Sequence, residues 1–137
     1  MTPTARTLEH YRRQGYAVGI VERWIEKYGI RRDLFGILDI IAVKVGEPVL
    51  GIQSTVAGCV SARLAKARQT PDLPTWLATG ARFVVIGWAT KEGRWLPRIE
   101  EVTLGTVGAL AVATVSKPPR KRPKSRWAAP DLFAAET

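Results

Sequence analysis

Two β-rich runs joined by a short glycine loop constrain the fold of this chain more than any other feature. Residues 34–45 (LFGILDIIAVKV) and 48–55 (PVLGIQST) are dense in Val, Ile and Leu, and Gly46 lies in the loop between them. This pattern is typical of a β-hairpin. The first run is apolar on both faces, with Leu38 and Ile40 predicted on the same one. Such a run indicates a central strand with helices packed above and below it.

Polar side chains converge at one end of this predicted hairpin. Symmetric pairing about Gly46 puts Asp39 opposite Gln53, with their Cβ atoms about 5 Å apart. The two-residue period of a strand puts Thr55 on the face of Gln53 and turns Ser54 away. A carboxylate among apolar strand residues is costly unless charge or strong donors compensate it. Asp39 therefore either binds a divalent cation or caps a neighbouring loop by accepting backbone N–H groups.

The other segments predict an α/β fold. The predicted elements are a helix at 4–14, a strand at 16–25, a polar connection at 27–32, a basic amphipathic helix at 56–69, a short helical turn at 75–79, and strands at 82–89 and 94–104. We therefore expect one domain at 1–115 with a central mixed β-sheet flanked by helices. A basic, extended tail is expected at 116–137.

The charge of the chain favours a polyanionic partner. The net charge is +9 and the pI is near 10.3. Residues 117–126 carry six basic and no acidic side chains, so much of the excess lies in the tail. The basic side chains form either a phosphate-binding rim or a solvated surface. The candidates for DNA contact are Arg12, Arg13, Arg31, Arg32, Lys66, Arg68, Arg120, Lys121 and Arg122.

Cysteine and histidine content limits the metal chemistry. Cys59 and His10 are the single residues of their types, which excludes an internal disulfide and a His/Cys zinc site. Any metal is therefore expected to be a hard, oxygen-bound ion such as magnesium. The low-charge stretch at 102–116 is too short to span a bilayer, and no signal peptide is recognisable. We expect no membrane association and a cytoplasmic location, in a cell or in a phage-infected host.

The succession of segments resembles a known nuclease family. A helix with Glu9, the run LDIIAVK, a tight turn, VLGIQST and a basic helix follow one another within residues 5–104. This order resembles the PD-(D/E)XK core of archaeal-type Holliday junction resolvases. The resemblance implies a restriction-endonuclease-like core and a homodimer that cuts branched or double-stranded DNA with Mg²⁺ or Mn²⁺. In that family one acid, and a second acid two residues before a lysine, bind the ion, and the lysine positions or activates the attacking water.

The family motif maps onto this chain with two departures. Asp39 matches the first acid, with Leu38 in place of the family's proline, and Glu9 matches a helix glutamate that completes the site. Gln53 falls on the second acid; its amide oxygen can bind a cation but contributes no charge. Thr55 falls on the lysine. A hydroxyl cannot replace an ammonium in stabilising the transition state.

The lysine's positive charge must then come from elsewhere in the chain. Arg63, Lys66 and Lys44 are the candidates, and Arg63 is preferred because a guanidinium binds phosphate in a bidentate manner. Either Glu9 or Glu22 could be the third acidic ligand. Glu22 is a candidate because, in the run IVERW, it is an acid among apolar strand residues, which is unusual.

Asp33 raises a separate geometric question. It precedes Asp39 by six residues and would lie about 20 Å away along an extended strand. Only a bend at Gly36 brings it closer. Asp33 therefore either supports the metal ligands from behind or caps a loop.

The two departures leave other functions open. The first hypothesis is a Mg²⁺-dependent, structure-selective DNA endonuclease. A second is a nuclease-fold protein that has lost catalysis and serves as a DNA-binding or scaffold module, which Gln53 and Thr55 favour. A third is a phage or mobile-element nuclease for flaps, single strands or linear ends.

The tail contains one further short motif. Asp131-Leu132-Phe133 resembles the C-terminal half of the peptides that bind bacterial sliding clamps. A three-residue match is also compatible with a disordered or self-docking chain end. A sliding clamp is therefore a weak candidate partner.

Overall fold

A six-stranded mixed sheet with helices on both faces forms the centre of the protein. The structure is a computed structural model that describes residues 1–105 and 110–116. Its helices are α1 (Pro3–Arg13), α2 (Val60–Arg68) and α3 (Asp72–Ala78). Its strands are β1 (Ala17–Ile20), β2 (Arg23–Ile25), β3 (Ile30–Arg32), β4 (Ile40–Val43), β5 (Leu50–Val56), β6 (Arg82–Lys91), β7 (Arg94–Leu104) and β8 (Leu110–Ser116). The expected α/β class is confirmed.

The strand order of the main sheet is β1-β4-β5-β6-β7-β8. Only β5 and β6 run parallel; all other neighbours in this sheet are antiparallel. Parallel neighbours require a crossover connection, and here it consists of a 3₁₀ turn at Ala57–Cys59, α2 and α3. Strands β2 and β3 form a separate hairpin between β1 and β4.

The sheet divides the core into two apolar layers. The layer under α1 contains Tyr11, Ile40, Ala42, Leu50, Ile52, Val84, Ile86, Trp88 and Ile99. The layer under α2 and α3 contains Ile37, Leu38, Val60, Ala67, Leu73, Phe83, Val85 and Val102. Since side chains alternate along a strand, Ile52 faces α1, whereas Gln53 faces α2 and α3.

The predicted pairing of β4 with β5 is confirmed. The partners are Ile40 with Ile52, Ile41 with Gly51, and Ala42 with Leu50, which is the register that symmetry about Gly46 requires. The ladder ends at this point. The N–H of Asp39 donates to the carbonyl of Ile52 at 3.0 Å, and its own carbonyl accepts the N–H of Val21 at 2.9 Å.

The prediction of one strand over 34–45 is wrong in its first half. Leu34 and Leu38 exchange backbone hydrogen bonds of 2.8 and 2.9 Å around a tight turn. Phe35 and Gly36 in this turn both have positive φ, at 55° and 75°. The reversal also moves Leu38 into the layer under α2 and α3, so its predicted position on the face of Ile40 is wrong.

Three other segments differ from their predictions. The expected strand at 16–25 is interrupted at Val21 and Glu22 and becomes β1 and β2 in two different sheets. The expected polar connection at 27–32 contains β3, which pairs with β2. Strand β8 lies in the stretch 102–116, for which no strand was predicted beyond 104.

The described part of the chain contains no helix that is both long and apolar enough to cross a membrane. Ser116, the first residue of the predicted tail, ends β8. The remaining tail residues, with Arg120, Lys121, Arg122 and the Asp131-Leu132-Phe133 motif, lie outside the described residues.

The contact between β6 and the start of α2 should depend on Gly87. A Cβ added there would lie 2.2 Å from Cγ2 of Val60 and 2.9 Å from the backbone Cα of Ala57. We predict that Gly87→Ala lowers the free energy of unfolding by roughly 1 to 3 kcal/mol through overpacking. Urea denaturation measures the change.

Gly19→Ala is the matched control. It is also a strand glycine, and nothing lies within 4 Å of its added Cβ. Equal unfolding free energies for the two variants would contradict the prediction.

Candidate functional site

Asp39 lies where the turn at 34–38 enters β4. Its side chain is 7% exposed. Both carboxylate oxygens accept the backbone N–H of Ser54, each at 3.2 Å. The alternative to a metal ligand was a carboxylate that caps a loop by accepting backbone N–H groups. Asp39 does accept a backbone N–H, but the donor belongs to strand β5 rather than to a loop.

The electrostatic surroundings of Asp39 disfavour its charged form. Burial is the largest cause, and the negative charges of Asp33 and Glu22 add to it, whereas the Ser54 N–H acts in the opposite direction. Together they raise the pKa of Asp39 to about 7. A divalent cation at this carboxylate would reverse both unfavourable effects, because it replaces lost hydration and opposes the neighbouring charges.

Gln53 has a buried acceptor without a donor. Its side chain is 2% exposed, and its Nε2 faces Oδ2 of Asp33 at 3.5 Å, the long limit of a hydrogen bond. Its Oε1 is buried and has no hydrogen-bond partner within residues 1–105 and 110–116. Leaving a buried carbonyl oxygen unpaired costs about 1 to 3 kcal/mol. A cation or a water molecule at Oε1 would remove that cost.

The neighbours of Gln53 in β5 point to alternate faces, as predicted. The hydroxyl of Ser54 lies 2.7 Å from that of Thr7 in α1. Thr55 is 7% exposed and lies on the face of Gln53. The structure therefore places the predicted trio of Asp39, Gln53 and Thr55 around one end of β5, although Asp39 is bound through the backbone of Ser54.

The bend that Asp33 needs is present. The turn at Phe35 and Gly36 reverses the chain, so Asp33 returns to contact the Gln53 amide. Glu22 approaches from the other strand of the β2–β3 hairpin, with Arg31 3.7 Å away. From the sequence, Glu22 was an alternative to Glu9 as the third acidic ligand, and Asp33 was a supporting residue or a cap. The structure brings the charges of both Glu22 and Asp33 to Asp39.

Glu9 lies elsewhere. It forms an ion pair with Arg13 on the exposed surface of α1. It also lines a cleft of about 330 Å³ together with Arg6, His10, Arg13, Trp88, Trp95 and Pro97. Its charge is not among those that shift the pKa of Asp39, whereas the charge of Glu22 is. Of the two predicted glutamates, the structure brings Glu22 towards the site.

None of the predicted replacement cations shifts the pKa of Asp39. The Nζ of Lys44 donates to the carbonyl of Gln14 at 2.8 Å, at the end of α1. Arg63 and Lys66 lie on α2, where Arg63 is half-buried and Lys66 is exposed. The charges that act on the pKa of Asp39 are those of Asp33 and Glu22, and both are acidic.

The predicted basic rim is divided between two faces of the sheet. Arg12 and Arg13 end α1, whereas Lys66 and Arg68 end α2, and these helices cover opposite layers of the core. Arg31 and Arg32 are exposed on β3.

Oxygen donors at this site fit a hard cation. Within residues 1–105 and 110–116, no three His, Cys, Asp or Glu side chains are close enough together to hold a metal ion. The donors available are the carboxylates of Asp39 and Asp33 and the amide oxygen of Gln53. Mg²⁺ and Mn²⁺ prefer such ligands and usually keep several waters. The orphaned Oε1 of Gln53 is the observation that favours this fit.

We predict that Asp39→Asn stabilises the metal-free protein above neutral pH. The folded-state pKa of about 7 exceeds the ordinary value of 3.8, so ionisation of Asp39 favours unfolding as pH rises between these values. Asn keeps an acceptor for the Ser54 N–H and cannot ionise. In EDTA at pH 8, the free energy of unfolding of the variant should exceed that of the wild type by roughly 2 to 4 kcal/mol.

The gain should shrink as pH falls from 7 and vanish below about pH 3, where Asp39 is protonated in both states. Urea denaturation across this range measures the difference, and other titrating groups cancel between the two proteins. A difference that is constant with pH would contradict the assignment.

Comparisons with known proteins add no assignment. No protein-family model matches the chain, and searches of curated proteins and of solved structures return no significant match. The geometry of Asp39, Gln53 and their acidic neighbours is therefore the basis on which a function can be proposed.

Proposed function

We propose that the protein is a Mg²⁺- or Mn²⁺-dependent endonuclease that hydrolyses phosphodiester bonds in branched DNA, similar to the Holliday junction resolvases. The observation that carries this proposal is the buried Oε1 of Gln53, which has no hydrogen-bond partner among the described residues, in a side chain whose Nε2 faces the carboxylate of Asp33. Most buried polar atoms in a structural hydrogen-bond network have a partner. An acceptor without one is what a cation ligand leaves when no ion is bound.

The order of elements supports a restriction-endonuclease-like core. Helix α1, strands β1, β4 and β5, helix α2 and strand β6 follow in the order of the segments on which the resemblance rests. The β2–β3 hairpin is an insertion into this order. A homodimer belongs to the proposal, because a four-way junction needs two related cuts.

In the proposed site, Asp39 and Gln53 hold the ion, with Asp33 or Glu22 as a further carboxylate. A bound cation supplies positive charge that lowers the pKa of water and stabilises charge on the phosphate. The Ser54 N–H fixes the orientation of the Asp39 carboxylate. Burial of both ligands excludes bulk water and strengthens their interaction with a cation.

The missing lysine is replaced, in this proposal, by a cation of α2. Thr55 supplies a hydroxyl but no charge. Helix α2 covers the layer that Gln53 and Thr55 face, so Arg63 or Lys66 is the proposed source of charge for the phosphate. The tail arginines and lysine at 120–122 are proposed to add sequence-independent contacts to the DNA backbone.

A second candidate function is a DNA-binding module without catalysis. The position of Thr55 and the acidic surroundings of Asp39 favour it, because a nuclease of this kind normally has a lysine here. A protein with this function would bind branched DNA in the absence of any metal.

The enzyme should nick a four-way junction only with Mg²⁺ or Mn²⁺ present, and Asp39→Ala should abolish nicking. Denaturing gels of end-labelled junction strands measure the products, with linear duplex as the comparison substrate. Metal-independent retention of the junction without any nicking would instead support the binding module.

The two candidate glutamates can be separated by matched variants. Glu22→Gln should reduce the nicking rate about 10- to 100-fold, as expected for loss of a carboxylate beside a metal ligand. Glu9→Gln removes the same charge but lies in the cleft at α1, so its effect should be much smaller. A larger loss for Glu9→Gln would show that α1 completes the site.

A further inference from the structure

We propose that the β2–β3 hairpin is a DNA-binding ribbon that enters a groove of the duplex and holds its backbone beside Asp39. The role rests on the proposed function, because it takes DNA as the partner. It assigns the contact to an element of the chain that the nuclease resemblance does not include.

The hairpin projects from the core with little apolar support. It forms its own two-stranded sheet with three residue pairs. From Arg23 to Arg32, every residue is exposed except Ile25, which is half-buried. Trp24, Tyr28 and Ile30 are 55%, 67% and 50% exposed. Large exposed apolar side chains grouped on one element mark an interaction surface.

The charges on this hairpin complement a polyanion. Arg23 pairs directly with Arg32 across the strands. Like charges in opposite positions destabilise a hairpin, and neither arginine forms an ion pair within the described part of the chain. A row of phosphates beside the pair would convert this repulsion into attraction and release counterions.

The dimensions of the hairpin fit a groove. Two strands about 4.8 Å apart form a ribbon, and the major groove of B-DNA, about 12 Å wide, admits such a ribbon. Arg23 and Arg32 lie at the base and Tyr28 at the tip. A ribbon that enters tip first therefore brings its arginines to the phosphates at the groove edges, while Tyr28 and Trp24 contact the groove interior.

The base of the ribbon adjoins the candidate metal site. Continuing the β2–β3 register by one step places Glu22 opposite Asp33. Asp33 contacts the Gln53 amide at 3.5 Å, and Val21, the residue before Glu22, donates its N–H to the carbonyl of Asp39, so both carboxylates adjoin the candidate site. DNA held by Arg23 and Arg32, the next residues along each strand, would then have its backbone adjacent to these acids.

An anionic membrane is the alternative partner for this hairpin, since basic and aromatic residues also bind anionic lipid surfaces. The distribution of charge along the hairpin favours DNA. The tip carries Glu26 beside Lys27, whereas three arginines lie in the strands behind it. Insertion of the tip into headgroups would leave most of the positive charge away from the lipid.

Binding by the full-length protein in EDTA tests the ribbon without cleavage. Fluorescence anisotropy with a labelled duplex and a labelled four-way junction gives the affinity over a range of salt concentrations. The double substitution Arg23→Gln/Arg32→Gln should weaken binding about 10- to 100-fold and reduce the salt slope by about two. Trp24→Ala should weaken binding with the salt slope unchanged.

The control is Lys91→Gln/Arg94→Gln. These two residues are also exposed cations paired across a hairpin, that of β6 and β7, so the same charge is removed elsewhere. The control should bind DNA nearly as the wild type does. Equal losses for the two double variants, or no loss in either, would overturn the ribbon. Circular dichroism and urea unfolding verify that each variant is folded.

Two further outcomes separate this inference from the proposed function. Ribbon-dependent DNA binding without any Mg²⁺- or Mn²⁺-dependent nicking would support the ribbon and reject the nuclease. Nicking that is lost in Asp39→Ala but unchanged in Arg23→Gln/Arg32→Gln would support the nuclease and reject the ribbon. Hairpin-dependent binding to phosphatidylcholine–phosphatidylserine vesicles, with no binding to DNA, would overturn the ribbon in favour of a membrane surface.

Discussion

The hydrogen bond from the Ser54 N–H to the Asp39 carboxylate links the elements that form the candidate site. It holds the start of β4 to β5 at the point where their ladder ends. On the opposite face of β5, the Ser54 hydroxyl meets that of Thr7, which also accepts the indole N–H of Trp88 at 2.9 Å. Ser54 of β5 thus connects the carboxylate to α1 and, through Thr7, to Trp88 of β6 by polar contacts.

The position of Asp39 relative to β5 was predictable from sequence, because Gly46 sets the centre of the hairpin and alternation sets the faces. The position of Asp33 was not, since it depends on a turn whose first left-handed residue is Phe35. A bulky residue rarely adopts positive φ, so LFGIL is more typical of a continuing strand. The position of Glu22 relative to Asp39 was not predictable for a related reason. Strand β3 is rich in charge, and its pairing with β2 is not visible from apolar periodicity.

The sign of the charge changes over a short distance at this end of the molecule. Arg23, Arg31 and Arg32 lie on the hairpin strands, and Glu22 and Asp33 lie at their base. A phosphodiester attracted by the arginines would meet acids whose repulsion a divalent cation must neutralise. Metal and DNA binding should therefore be coupled, each ligand raising the affinity for the other by the same factor.

The acids of β7 show that this fold can pair half-buried and buried carboxylates. Glu101 accepts two hydrogen bonds from Arg82, at 2.8 and 2.9 Å. Glu100, 4% exposed, is bound by Arg98 at 3.0 Å and by the hydroxyl of Thr114. Asp39 is also buried, yet its neighbouring charges are acidic and its strongest donor is one backbone N–H. Since a buried carboxylate without a countercharge is costly, the proposed cation would take, for Asp39 and the Gln53 amide oxygen, the part that arginines and a threonine take for the acids of β7.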